Sequence, residues 1–440
     1  MELLNRKKTG KVERPVKVLQ FGEGNFLRAF VDYMIDIANE QGKFNGDIVL
    51  VKPIEFGSLD RFHDQECQYT VQLRGIVDGE PKRINRIVTS VADAVDAYGE
   101  YQKYADYAKL DSLRYIVSNT TEAGIVYDDT DRLEMEPPKS YPGKLTKFLY
   151  ERYKHFNGAM DKGLVMLPVE LIDDNGIHLK ECVEKLAVLW NLEDGFKTWL
   201  DEACVFTSTL VDRIVTGYPR DEAEELCKEF GYQDNLIVTG EPFALWVIES
   251  AKDISKEFPL PDAGLPVIFT DNQKPYKQRK VRILNGAHTS FVLASYLCGN
   301  DIVLESMQDE LIFNFMKATI FDEVIPTLTL PKQDLIDFAE AVITRFNNPY
   351  VKHALLSISL NSVSKWRARC MPSFLEYIKN EGKLPTHLTF SLAALMAFYT
   401  GTEIRDKALI GHRDGTEYQI LDDAAVLEFF AANSSKDAAE

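Results

Sequence analysis

Two patterns of apolar spacing divide this chain. In the first, short β-branched runs alternate with stretches of helical spacing. Val16 to Phe21 reads as a strand, followed by a glycine turn. Phe26, Phe30, Val31, Met34, Ile35 and Ala38 then recur at the interval of one helix face. GDIVLVKP (46–53) is a continuous apolar run ended by a proline, as in a strand buried on both faces. Further strands are expected within 113–125 and 163–172, with helices over 100–110 and 144–156 between them. Such alternation predicts βαβ units and a mainly parallel sheet. From about residue 281 the spacing is almost wholly helical, with Gly and Pro as punctuation. The expected organisation is an α/β domain over 1–271 followed by a mostly α-helical domain over 272–440.

Composition narrows the function. The 440 residues are 45% hydrophobic and carry a formal net charge of −18, which argues against nucleic acid as a partner because phosphate binding needs a basic face. The N-terminus lacks the apolar core of a signal peptide, and no stretch approaches the roughly 20 apolar residues of a membrane span. A cytoplasmic protein with reduced thiols is expected, since the six cysteines are scattered without a CxxC pair. The seven histidines form no HExxH or HxH, so no metal site is expected. Oligomeric state is left open.

Two stretches carry candidate chemistry. In the first, FGEGNF, Gly22 permits a tight turn and Gly24 lets backbone approach a pyrophosphate at a helix N-terminus. The third glycine of the dinucleotide fingerprint is replaced by Leu27, and Lys52 and Pro53 end the second strand where a ribose-binding acid is usual. An ordinary strand–helix turn remains an alternative, and Lys52 leaves NAD and NADP both open.

The second stretch, KPYKQRKVRILNGAH (274–288), concentrates five cations ahead of an Asn and a His. With a helix beginning near Leu284, Asn285 and His288 share one face and Lys280 lies at its approach. Lysine can exchange a proton with an alcohol, Asn can hydrogen-bond the oxygen where charge develops, and His can orient either. Lysine is a poor base at its ordinary pKa; Lys277, Arg279 and Arg282 would lower that pKa and attract an anionic substrate. The competing reading is a solvated basic loop before a helix capped by Asn285. Tyr150/Lys154 and Tyr276/Lys280 also satisfy Y-x3-K, a spacing common by chance.

FGEGNFLRAF, SNTTEAGI, TLVDRIVTGYPRDE, KPYKQRKVRILNGAH and RFNNPYVKH together, in this order, resemble the mannitol dehydrogenase family of polyol-specific long-chain dehydrogenases over nearly the whole chain. The resemblance implies an N-terminal Rossmann-type domain, a helical C-terminal substrate and catalytic domain, a cleft between them, NAD as cofactor and no metal. It places catalysis on Lys280, Asn285 and His288. Cofactor contacts fall on Gly22, Gly24, Asn25, Phe26, Arg28, Asn119, Thr120 and Glu122, and substrate contacts on Asp212, Lys277, Arg345, His353 and Lys365, with Asn348 nearby. Within the family the motifs are most similar to members that reduce D-tagaturonate to D-altronate. Reduction of D-fructuronate to D-mannonate is the near alternative, and a dinucleotide-binding sensor without turnover the distant one. Two departures stand out. Lys277 replaces a Glu of polyol-oxidising relatives, which favours a sugar acid over a neutral polyol. Glu170 and Leu171 replace their Asp-Asn pair, which removes an oxyanion donor.

Overall fold

The parallel sheet expected from the alternating pattern is six-stranded. Its strands are β1 (Val16–Phe21), β2 (Asp47–Lys52), β3 (Val91–Asp96), β4 (Tyr115–Ser118), β5 (Val165–Pro168) and β6 (Val205–Phe206), in spatial order β3-β2-β1-β4-β5-β6. All adjacent pairs are parallel, and Phe21 lies level with Val51 on one side and Ser118 on the other. The structure, a computed structural model, describes residues 1–121, 123–434 and 436. β2 is buried along its whole length because both faces of the sheet are covered. Val18, Ile48 and Leu50 point into one apolar cluster with Phe30, Met34 and Trp246. Leu19, Phe21, Val49 and Val51 point into the other with Tyr104, Leu145 and Phe148. Where β1 and β4 diverge, the strand order reverses, and a ligand crevice is expected beyond the carboxyl ends of such strands.

The chain divides into two units: Met1–Arg74 with Lys82–Gln273, and Gly75–Pro81 with Lys274–Glu440. Besides the main sheet, the first unit contains a three-stranded sheet of Ser208–Asp212, Leu245–Glu249 and Val267–Thr270. A further four-stranded sheet comprises Tyr69–Val77, Glu80–Val88, Val215–Gly217 and Val238–Gly240, the tip Gly75–Pro81 of its first two strands being counted with the second unit. The second unit is helical around Gly286–Leu297, a helix buried on nearly every side, which explains its lack of a polar face. Strands also occur there, as a meander of Ile404–Arg405, Ala408–Arg413 and Thr416–Ile420.

One local expectation is corrected. Helix does not begin near Leu284: it runs unbroken from Lys274, through Lys274–Arg279, a π-helical turn over Lys280–Asn285, and Gly286–Leu297. Pro275 suits a first helical turn, and the cationic run that follows contains no helix breaker. Lys280 is therefore inside the helix, and the basic segment is not a loop.

Candidate active site

At the carboxyl ends of β1 and β4 lies a cavity of about 460 Å³, lined among others by Gly22, Gly24, Asn119, Thr120, Ser140 and Tyr141. Gly22 has φ +121°, and a Cβ there would come within 3.2 Å of the Asn119 carbonyl oxygen and of Leu27 Cδ1. The glycine is thus required by conformation and by space. Leu27, in place of the third fingerprint glycine, is buried beneath this turn. Gly24 leads into Asn25–Leu27, a π turn over Arg28–Asp32 and helix Tyr33–Glu40.

Four of the anticipated cofactor residues, Gly22, Gly24, Asn119 and Thr120, line this one cavity. Three others are engaged elsewhere. Arg28 is buried, donates to the Leu236 carbonyl (2.6 Å) and to Asn25 Oδ1 (2.7 Å), and lies over the Phe62 and Tyr69 rings. Asn25 thereby serves as its acceptor, and Phe26 stacks on Phe30. Glu122 lies outside the described residues. Asp212 ends the buried strand Ser208–Asp212, and the neighbouring Arg213 donates to the Phe243 and Pro242 carbonyls.

Two polar hubs shape the cavity rim. Lys52, 1% exposed, directs its Nζ to the carbonyls of Ile54 (2.9 Å), Glu55 (3.3 Å) and Phe56 (3.4 Å) and to Asp96 Oδ2 (3.0 Å). Its donors are committed to folding the loop after β2, so Lys52 is not a free cation for a 2′-phosphate. Glu170, 2% exposed, follows β5 and accepts hydrogen bonds from the Thr120 N–H (3.0 Å), Thr120 Oγ1 (2.9 Å) and Ser118 Oγ (3.1 Å). It ties the end of β4 to the end of β5. Burial raises its pKa, and the Thr120 N–H is the chief opposing influence. No sequence pattern announced this role: the three donors from Ser118 and Thr120 meet Glu170 only when the two strands pair.

In the second unit the π turn organises the other candidate set. Positions five apart point roughly 140° away from each other in a regular α-helix. In the wider π turn, bonded i to i+5, Lys280 and Asn285 at its two ends are brought toward one face. His288 follows Asn285 by three residues on that face, and Thr289 Oγ1 donates to the Asn285 carbonyl (2.9 Å).

The His288 ring stacks on Phe346 (centroids 4.1 Å) and meets His353 edge-on (5.5 Å), while its Nε2 is enclosed without a hydrogen-bond partner. Burial first, then the positive influence of His353, Arg345, Arg369 and Lys365, holds its pKa well below 6.5, so the imidazole is neutral at pH 7. Arg345 belongs to helix Lys332–Phe346, and Lys365 and Arg369 to helix Ser362–Arg369. The other cations of the basic run have structural tasks. Arg279 is buried over the Phe338 and Tyr276 rings, and Arg282 donates to the Thr327 carbonyl (3.3 Å). Lys277 is half-buried in the preceding helical turn. Among the described residues no group of three or more His, Cys, Asp or Glu could hold a metal ion, and no helix is long and apolar enough to cross a membrane.

A doubly wound sheet with a glycine turn at its switch point, together with a Lys–Asn–His face, defines a dinucleotide-dependent oxidoreductase. The chain belongs to the mannitol dehydrogenase family: residues 16–261 match the mannitol dehydrogenase Rossmann domain and residues 272–428 the mannitol dehydrogenase C-terminal domain. With that family it is an oxidoreductase acting on CH–OH groups. It is 46% identical to an altronate oxidoreductase of Yersinia enterocolitica over 98% of this chain and 87% of that protein. It is 44% identical to one of Bacteroides thetaiotaomicron over 96% of this chain and 88% of that protein. The fold is shared with a D-sorbitol dehydrogenase crystal structure (TM-score 0.81, 20% identity, 98% of this chain and 91% of that one). It is also shared with Pseudomonas fluorescens mannitol 2-dehydrogenase, solved with NAD and D-mannitol (TM-score 0.67, 23% identity, 100% and 90%).

Proposed function

We propose that this protein interconverts D-tagaturonate and D-altronate with NAD, that the first unit binds the cofactor, and that the second binds the sugar acid and carries Lys280 as proton donor. NAD is the cofactor, and the first unit's cavity fits it. The turn at Gly22 has no room for a side chain, and the backbone at Gly24 is open, with nothing within 4 Å of where a Cβ would stand. Held at the turn of Gly22 and Gly24, the reduced cofactor would supply the hydride for the ketone carbon; the chain's own residues do the rest. As the carbon–oxygen double bond becomes single, its electron pair collects on oxygen. There the Asn285 amide donates a hydrogen bond and the Lys280 ammonium delivers a proton. In the reverse direction the lysine amine removes the alcohol proton. A neutral His288 cannot act as the acid at pH 7, so it orients the substrate or the lysine.

The observation that carries the reading is the second unit's pairing of this face with Arg345, His353, Lys365 and Arg369, a surround suited to a carboxylate and ill suited to a neutral polyol. The near-full-length altronate oxidoreductase relatives favour the same substrate class. Lys277, one helical turn before Lys280, adds to the positive field. Following NADH absorbance with D-tagaturonate, D-fructuronate and D-fructose tests the proposal. Fastest turnover with tagaturonate is expected, preference for fructuronate moves the assignment to mannonate formation, and no oxidation with any of them refutes it.

A further inference from the structure

The His288 wall contains one cation that the spacing of the active-site motif does not reach. Arg369 closes helix Ser362–Arg369, some eighty residues after the Lys–Asn–His set, yet it is built against that set. Its backbone carbonyl lies 3.4 Å from where a Cβ of Gly286 would stand, so the end of this helix packs directly against the turn after Asn285. The next residue, Cys370, hydrogen-bonds the Gly286 carbonyl through Sγ (3.6 Å). The guanidinium reaches Thr289 Oγ1 (3.3 Å), the hydroxyl that itself donates to the Asn285 carbonyl. Arg369 is thus fixed to the turn bearing Asn285 and His288.

Lys365 precedes Arg369 by four residues on the same helix face, an arrangement in which like charges repel. Among the described residues no carboxylate forms an ion pair with either. Lys365 Nζ donates to the Ile358 carbonyl (2.9 Å). The acid that acts on it, Asp422, is held by the Tyr399 hydroxyl and the Val363 N–H. Both cations are half-buried, and each has its pKa lowered, chiefly by burial. Two desolvated like charges kept side by side, with most of their donors uncommitted, form a preorganised cradle for an anion.

We propose that Arg369, together with Lys365, is the subsite that takes the carboxylate of the sugar acid, and that Arg369 sets the preference for acids over neutral ketoses. This rests on the second unit being the substrate-binding unit, as proposed above. A guanidinium–carboxylate contact of ordinary strength corresponds to a loss of about 20-fold in affinity on removal.

The test compares wild type, Arg369→Gln and Arg369→Lys, each checked for unchanged thermal unfolding. With NADH, Arg369→Gln raises KM for D-tagaturonate about 20-fold with kcat within about threefold, and Arg369→Lys recovers part of the loss. kcat/KM for the neutral ketose D-tagatose stays within about twofold. An unchanged acid-over-neutral ratio overturns the proposal. Calorimetric titration with D-gluconate, an acid without a ketone, separates this from failure of the substrate assignment. If wild type reduces no keto acid yet binds gluconate about tenfold or more tightly than Arg369→Gln, the carboxylate subsite stands and the tagaturonate assignment falls. Equal affinity in both proteins, or none in wild type, overturns the subsite.

Discussion

Replacing Glu170 with Gln tests whether one buried carboxylate holds the cofactor turn in place. Glu170 receives three hydrogen bonds, two from Thr120 at 3.0 and 2.9 Å and one from Ser118 at 3.1 Å. Glutamine keeps an acceptor oxygen for both Thr120 donors, and its amide can donate to a Ser118 hydroxyl rotated to accept. Every partner is therefore retained, and what disappears is the charge. Charge-assisted hydrogen bonds are about twice as strong as neutral ones, so the two Thr120 contacts together lose roughly 1–2 kcal/mol. Because the cavity presents Asn119 and Thr120 to the ligand only while this turn is ordered, the same free energy appears in binding, as a rise of about 5- to 30-fold in the NADH dissociation constant. Glu170→Leu strands all three donors and costs more, roughly 3–5 kcal/mol of folding stability. Titration of NADH fluorescence, paired with urea unfolding, reads both quantities. An NADH affinity within twofold of wild type in Glu170→Gln refutes the claim that the carboxylate positions the turn.

Other consequences are as direct. Lys280→Ala lowers kcat about 10²- to 10⁴-fold, and Asn285→Ala about 10²- to 10³-fold, with NADH affinity nearly unchanged; stopped-flow hydride transfer and cofactor titration check each separately. Asp32 is fully buried in the Arg28–Asp32 turn, and burial pushes its carboxyl up to about 7 against the Tyr69 hydroxyl at 2.6 Å. Its folded pKa is raised, so the stabilising term is fully present below about pH 4 and is lost as pH rises through about 7, a swing of about 4 kcal/mol. Asp32→Asn removes that slope, so its urea midpoint gains on wild type between pH 5 and 8, and parallel curves would contradict this. Gly176 opens helix Asn175–Leu189 where a Cβ would fall 1.9 Å from the Thr207 carbonyl oxygen. Gly176→Ala therefore costs about 3 kcal/mol, read as a lowered unfolding temperature.

What could be seen in the sequence was local. Val16–Phe21, Gly22 and the helical spacing after Gly24 are contiguous, so strand, turn and helix followed from period and glycine placement alone. The all-buried β2 was equally plain, because a parallel strand covered on both faces reads as a continuous apolar run, here Ile48 to Val51 between Asp47 and Lys52. Other features depend on partners far along the chain. Glu170 gains its role from Ser118 and Thr120, and Arg369 from Gly286 and Thr289. Lys52 left NAD and NADP both open because spacing shows a charge but not the three carbonyls that absorb it. Arg28 was expected at the cofactor, and the core aromatics Phe62 and Tyr69 drew it inward. The π turn leaves no periodic trace, since one extra residue per turn looks the same as a regular helix over so short a stretch. Its ends, Lys280 and Asn285, were recognised by motif and not by geometry.

That turn contains one residue more than a regular helix of equal rise would need. Deleting Val281 would restore the regular ladder and leave the buried helix Gly286–Leu297 in place. Lys280 would then stand four residues before Asn285, a net turn of only about 40° in a regular helix, and would stay near its face. A regular ladder that kept all six residues would instead set the two side chains about 140° apart, so the alignment needs the wide turn for as long as the extra residue is there. Catalysis in this chain thus depends on a count of residues as well as on their chemistry.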